Sequence, residues 1–143
     1  MARTIVLLNS LLYLCVVALG GRDIYMFIFR HALSSDFSEM LAGVVVIRLF
    51  YIVPSVVGIF GLLLAARWAR SFALSWNLGL AFMIGAIPFL SAALVAYPSE
   101  VDFKQFLPRG ASLVFLLAAS GTFLLMAAGL RSGSVLQYFK AHA

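Results

Sequence analysis

Arg48 is the one charged residue that interrupts a long apolar stretch of this chain, which runs from Met40 to Ala66. Charged side chains inside membrane-spanning segments often mark a ligand or ion site. Nineteen residues separate Arg48 from Arg67, which is about 28 Å of helix, close to the ~30 Å thickness of a hydrocarbon core. We therefore expect Arg48 at the edge of the core with its side chain reaching the headgroups, a structural role that is favoured over a ligand site.

A second interpretation makes Arg48 part of a ligand-binding site. Helical spacing places Arg48, Tyr51, Ser55 and Gly58 on one face, and His31 lies in the preceding connector. The ligand-binding candidates are therefore Arg48, Tyr51, Ser55 and His31. The expected partner of the guanidinium is a lipid phosphate or an acid of the outer face. The acids considered are Glu39, Asp36, Glu100 and Asp102.

The sequence contains few residues that could carry out catalysis. The only histidines are His31 and His142, the only cysteine is Cys15, and no zinc-protease, nucleophile-elbow or phosphate-binding motif occurs. His31 with Asp36 or Glu39 could act as a general acid and base. Two or three such residues arise easily by chance in a connector as long as residues 22–44. We therefore expect no catalytic residue, no metal and no cofactor, and an enzyme is the least favoured class.

The composition indicates a membrane protein. Hydrophobic residues make up 64% of the 143 residues and charged residues 10%, against about 45–50% and about 25% in soluble domains. A soluble fold of this size cannot bury that much apolar surface. The net charge of +5 comes from Lys and Arg residues scattered near helix ends. That pattern is typical of membrane topology and of contact with anionic headgroups, and it argues against nucleic-acid binding.

Hydropathy predicts an all-α, four-transmembrane-helix bundle that forms a single domain over residues 1–143. The predicted spans meet the requirement of about 18 or more apolar residues for a crossing, the first being slightly short, and charged or Pro- and Gly-containing turns separate them. The spans are residues 4–20, 45–66, 72–97 and 110–130. Residues 22–44 are predicted to be an outer-face connector that holds short interfacial helices, because two apolar segments flank a polar one.

The positive-inside rule predicts that both termini are cytoplasmic, in a bacterial inner (plasma) membrane. The strongest single marker is the tight turn Arg67-Trp68-Ala69-Arg70. The bias is five cations against four. The inner set is Arg3, Arg67, Arg70, Arg131 and Lys140, and the outer set is Arg22, Arg30, Lys104 and Arg109.

Residues 1–20 have an alternative interpretation as a signal peptide. Arg3, the apolar stretch that follows it and the small residues around Gly20 resemble a cleavable leader. Asn9 and Ser10 interrupt the apolar stretch, and three further predicted spans follow. A retained membrane anchor is therefore favoured.

Small residues recur at helical spacing within the predicted spans. Such residues allow the backbones of transmembrane helices to approach closely, so we predict packing roles for Gly58, Gly61, Gly85 and Gly121. Asn9 and Asn77 lie at similar predicted depth and could form a hydrogen bond between helices. A compact bundle is favoured over a homo-oligomer interface.

The function predicted from these features is that of a small non-enzymatic tetraspan protein. It would serve as an accessory, assembly or stabilising subunit of a larger membrane complex, with the bilayer and other membrane subunits, or further copies of itself, as partners. The alternative is a binding or transport module for a lipid, a quinone or another hydrophobic or anionic small molecule. In that case Arg48, Tyr51 and the helix kinks at Pro54 and Pro88 would line a pocket in the outer leaflet.

Overall fold

A computed structural model of the chain describes residues 1–32, 37–96 and 110–142. Within these residues the fold is all-α and contains five helices. Their bounds are α1 Ala2–His31, α2 Phe37–Leu63, α3 Ala69–Ala96, α4 Ala111–Leu130 and α5 Gly133–His142.

Three of the helices are long and apolar enough to cross a membrane. The apolar segments are Ala2–Arg30 in α1, Met40–Leu63 in α2 and Ser112–Leu130 in α4. The chain is therefore a helical protein with three candidate spans, which suggests a multi-pass membrane protein. α3 is 28 residues long, but a fourth span is not shown by the described residues. The end of the predicted third span, Tyr97, lies outside them.

The connector predicted for residues 22–44 differs from what the structure shows. α1 continues without a break to His31, and α2 already begins at Phe37. The expected short interfacial helices are instead the ends of two long helices. No proline interrupts α1, and Gly20 and Gly21 remain helical because an apolar setting favours a fully hydrogen-bonded backbone. The 30 residues of α1 span about 45 Å, so the helix is longer than a ~30 Å hydrocarbon core.

α2 ends three residues earlier than the predicted span, in a compact hydrogen-bonded cap. The N–H of Ala66 donates to the carbonyl of Gly61 at 3.0 Å, and the N–H of Ala65 donates to that of Leu62 at 3.2 Å. This pair of bonds is the Schellman motif. It requires a left-handed residue, which is Ala65 with φ of 50°. The sequence signal was weak because glycine usually occupies this position.

The chain divides into two compact units, and the first combines residues 1–73 with 133–143. In this unit α1 packs against α2 and against α5. α1 and α2 run antiparallel, because Asp23 pairs with Arg48 while Tyr13, earlier in the chain, lies against Gly58, later in the chain. Its buried apolar residues include Tyr13, Leu62, Ala69, Val135 and Phe139.

The second unit comprises residues 74–132, which are the rest of α3 and all of α4. The hydroxyl of Ser120 in α4 donates to the carbonyl of Ala81 in α3 at 2.9 Å. Leu80, Phe123 and Ala127 are buried. A hydroxyl that bonds across two apolar helices holds them together where water is absent. A single domain over residues 1–143 stays a prediction.

Candidate functional site

Arg48 forms an ion pair with Asp23, across the α1–α2 hairpin. The distance between Arg48 Nη2 and Asp23 Oδ2 is 3.2 Å, and the two side chains are 35% and 49% exposed. Asp23 was not among the partners considered from the sequence. Of those, Asp36, Glu100 and Asp102 lie outside the described residues, and the side chain of Glu39 is not described.

The antiparallel hairpin explains why these two residues meet. Asp23 lies eight residues before the end of α1, and Arg48 lies eleven residues after the start of α2. Antiparallel packing of two consecutive helices brings such positions together, so antiparallel pairing of α1 with α2 would have identified the pair. Asp23 was not considered because residues 22–44 were treated as a separate connector, whereas residues 22–31 and 37–44 belong to the ends of α1 and α2.

The guanidinium of Arg48 also lies near the Tyr51 ring and retains one donor without a partner in the part of the chain that the structure describes. Its Cζ lies 5.8 Å from the centre of the Tyr51 ring, within the range of a cation–π interaction. Its Nε is buried and has no hydrogen-bond partner among the described residues. An acceptor supplied from outside the chain could satisfy this donor, because a buried polar group without a partner is costly.

A cavity of about 260 Å³ adjoins the ion pair. Two cations and one carboxylate line it together with apolar side chains. The lining residues are Asp23, Met26, Phe27, Arg30, Val44 and Arg48. The excess of positive charge favours an anionic group, and the apolar lining suits a ligand that also has a hydrocarbon part.

The other ligand-binding candidates occupy different positions. Ser55 is fully buried, and its hydroxyl donates to the carbonyl of Tyr51 at 2.7 Å within α2. Neither Ser55 nor Tyr51 lines the cavity. His31 lies in the last turn of α1, and its side chain is not described. Sequence reasoning missed Asp23 and Arg30, although both are charged residues near the end of α1.

The glycines that were assigned to packing have different surroundings. A Cβ on Gly58 would lie 2.7 Å from Cε2 of Tyr13, and one on Gly61 would lie 2.6 Å from Trp68. A Cβ on Gly85 would lie 3.0 Å from the hydroxyl of Ser120, whereas one on Gly121 would meet no described atom within 4 Å. Gly20, which was not predicted, is as close to α2, with Ile52 at 2.8 Å.

The two asparagines are both fully buried. The side-chain amide of Asn9 donates to the carbonyl of Ile5 at 2.9 Å, one turn earlier in α1. Asn9 belongs to the first unit and Asn77 to the second. A hydrogen bond between them stays a prediction.

Tyr13 provides a contact between helices that sequence reasoning missed. Its ring is fully buried, and its hydroxyl donates to the carbonyl of Ala73 in α3 at 3.0 Å. A tyrosine in the middle of an apolar span is itself a signal, because its hydroxyl requires a partner when it is buried away from water.

No group of three or more His, Cys, Asp or Glu side chains that could hold a metal ion occurs in residues 1–32, 37–96 and 110–142. The site that the described residues assemble is therefore electrostatic: an ion pair, a neighbouring Arg30 and a small amphipathic cavity. Comparison of the chain with known protein families, with characterised proteins and with solved structures found no match.

Proposed function

We propose that this chain is a non-enzymatic tetraspan subunit that stabilises or assembles a larger membrane complex. The observation that carries the proposal is the distribution of side chains around α2. The small residues Ser55, Gly58 and Gly61 of α2, and Ala65 just beyond its end, are buried. Many of the large apolar residues of α2 are exposed, although Leu62 is buried. The exposed ones include a line of residues, Val46, Phe50, Val53, Val57, Phe60 and Leu64 (the last just beyond the end of α2), and also Met40, Ile47, Leu49 and Leu63.

The line of exposed residues from Val46 to Leu64 has the spacing of a helix-packing seam. They follow one another at alternating steps of four and three residues, which is the period of left-handed helix pairs. A transmembrane helix of a partner could pack along this seam, whereas a face used only for lipid contact needs no particular side-chain size. The seam runs over most of α2, so it offers a long contact.

The buried hydroxyls of the first unit support a structural role. The hydroxyl of Ser10 donates to the carbonyl of Val6 at 3.0 Å within α1, and that of Ser55 donates within α2. The hydroxyl of Tyr13 bonds to α3. The two serine hydroxyls find acceptors within their own helices, and the Tyr13 bond joins two helices.

The proposal includes a four-span topology with a defined orientation. α3 supplies the fourth span, both termini are cytoplasmic and the host membrane is a bacterial inner membrane. The supports are the 28-residue length of α3 and the larger number of cations on the side of the α2–α3 turn. Reporter fusions to the C-terminus and to the α1–α2 connector would test the orientation.

The subunit role is tested by gentle solubilisation of the tagged chain and mass spectrometry of what co-purifies. The informative variant is Phe50→Ala combined with Phe60→Ala, which truncates the seam. The matched control, Leu7→Ala with Leu14→Ala, truncates two exposed residues of α1. We expect a reproducible partner that is lost only in the seam variant. Recovery of the wild type solely as a free monomer would contradict the proposal.

The cavity beside Arg48 supports a second candidate function, the binding of an anionic lipid or another amphipathic anion. The buried Nε of Arg48 and the nearby Arg30 favour such a ligand. Arg48→Ala is expected to abolish co-purification of the ligand, whereas Arg22→Ala, an exposed cation that does not line the cavity, is not. Equal ligand content in both variants would remove this candidate.

A further inference from the structure

A second cavity of the first unit lies beyond the C-terminal end of α2. It also measures about 260 Å³. Its lining comes from the α2–α3 turn, the start of α3 and one face of α5. The lining residues are Arg67, Arg70, Ser71, Leu136, Phe139 and Lys140.

The fold brings these residues together from distant parts of the sequence. The cap at Ala65 turns the chain sharply after α2, and α3 begins at Ala69, so Arg67 and Arg70 stay close to each other. α5 packs against α1 with Val135 and Phe139 buried. Lys140 follows Phe139 directly and thereby reaches the same cavity.

All the described charged residues that line this cavity are cations. Three cations line it, and no acidic side chain occurs among the described residues of the lining. A cluster of cations creates a positive potential that favours an anionic group. Two guanidinium groups and an ammonium, with the Ser71 hydroxyl as a further donor, are the groups that recognise phosphate oxygens.

The cavity is also amphipathic, which favours a phosphate that belongs to a lipid over a free phosphate ion. Leu136 and Phe139 add an apolar side to the lining. The volume is below the ~300 Å³ of small drug-sized pockets and is suited to a headgroup rather than to a large soluble ligand. The turn follows a candidate span directly, so the cavity lies at the depth of lipid headgroups.

We propose that Arg67, Arg70 and Lys140 form a binding site for the phosphate of an anionic lipid headgroup. The phosphate contacts the cations, and the glycerol and upper acyl chain lie against Leu136 and Phe139. This site is separate from the cavity at Arg48 and does not depend on the subunit role.

The test measures lipid retention by the full chain in nanodiscs and after detergent extraction, with native mass spectrometry as the readout. The variant Arg70→Gln with Lys140→Gln removes two cations of the cavity. The control Arg3→Gln with Arg131→Gln removes two exposed cations of the same predicted side that do not line it. Helical content is compared by circular dichroism, so that a folding defect is recognised.

We expect the wild type to retain phosphatidylglycerol in preference to phosphatidylcholine. A charge-assisted hydrogen bond contributes about tenfold in affinity or more, so the cavity variant, which loses two cations that contact the phosphate, is expected to retain roughly 100-fold less lipid. The control variant loses only the general attraction of two surface cations, about fivefold each at most, and is expected to retain clearly more lipid than the cavity variant. Equal losses in both variants, or equal retention of the two lipids by the wild type, would overturn the proposal.

A competition arm separates a lipid from a free anion. Inorganic phosphate at millimolar concentration is added before extraction. Persistence of the bound phosphatidylglycerol supports a headgroup held also through its apolar part. Displacement of the lipid by inorganic phosphate would overturn the lipid assignment and leave a site for free phosphate.

Discussion

The two ends of the α1–α2 hairpin are held together by different forces. At one end, which we call the tight end (Tyr13, Gly58, Gly61 and Trp68), side chains touch backbone directly. At the other, the ion-pair end (Asp23, Phe27, Phe37 and Arg48), the contacts are a half-exposed ion pair and a stacked pair of rings 6.3 Å apart. Close packing is short-ranged and sensitive to a single methyl group, whereas an exposed ion pair tolerates adjustment.

This difference separates stability from recognition. Within an apolar solvent, helices associate through close packing and hydrogen bonds rather than through a hydrophobic drive. The tight end supplies both, because Tyr13 packs on Gly58 and bonds to Ala73. The ion-pair end contributes less to stability, and its polar groups are accessible to a ligand. Four experiments test this division.

The largest effect is expected from Gly58→Ala at the tight end. The new Cβ would lie 2.7 Å from the Tyr13 ring, which is fully buried and held by its hydrogen bond, so it cannot move aside easily. Overpacking of this kind costs about 1–3 kcal/mol. Unfolding by SDS titration in mixed micelles measures it.

Gly43→Ala is the control for that substitution, since it lies in the same helix with no described atom within 4 Å of the new Cβ. It is expected to be neutral or to stabilise by up to ~1 kcal/mol, because alanine favours a helix. Equal destabilisation by the two substitutions would show that the tight end is not tightly packed.

Tyr13→Phe removes the hydroxyl but keeps the ring. Its bond to the Ala73 carbonyl is expected to contribute about 0.5–1.5 kcal/mol, and the same titration measures the loss. Tyr25→Phe alters an exposed tyrosine of the same helix and should have no measurable effect. An unchanged stability of Tyr13→Phe would contradict the assigned bond.

The ion pair is tested with a double-mutant cycle of Asp23→Asn and Arg48→Gln. Both side chains are partly exposed, so the coupling energy is expected to be ~0.2–1 kcal/mol and to fall as salt is added. A coupling above about 2 kcal/mol is outside the range for exposed pairs. It would mean that the ion-pair end and the tight end contribute similarly to stability, which contradicts the difference drawn between them.

The smallest effect is expected from Ala65→Gly in the cap of α2. The left-handed conformation at φ of 50° costs an L-residue about 1 kcal/mol, and glycine avoids that cost. Loss of a buried methyl and greater freedom of the unfolded chain offset part of the gain, so a net stabilisation of ~0.5 kcal/mol is expected. Ala66→Gly, one residue later, should destabilise instead.

The sequence by itself determined the class of this protein. Apolar runs of about 18 or more residues are typical of membrane spans, so an all-α chain with candidate membrane spans at α1, α2 and α4 could be predicted without coordinates. The unusual position of Arg48 could be recognised in the same way, because a charge in an apolar run stands out locally. The fourth span and the subunit role remain predictions.

Only the tertiary structure decided which residues meet. The pairing of Arg48 with Asp23 depends on the register of the hairpin, and the gathering of Arg67, Arg70 and Lys140 depends on where α5 packs. Likewise, Gly58 lies against Tyr13 whereas the similar Gly121 has no close described neighbour. Hydropathy reports how each segment interacts with its solvent, and in lipid nearly every face of a span is apolar. The hydropathy pattern therefore does not show which helix faces pack together. The packing of one helix against another decides which residues meet.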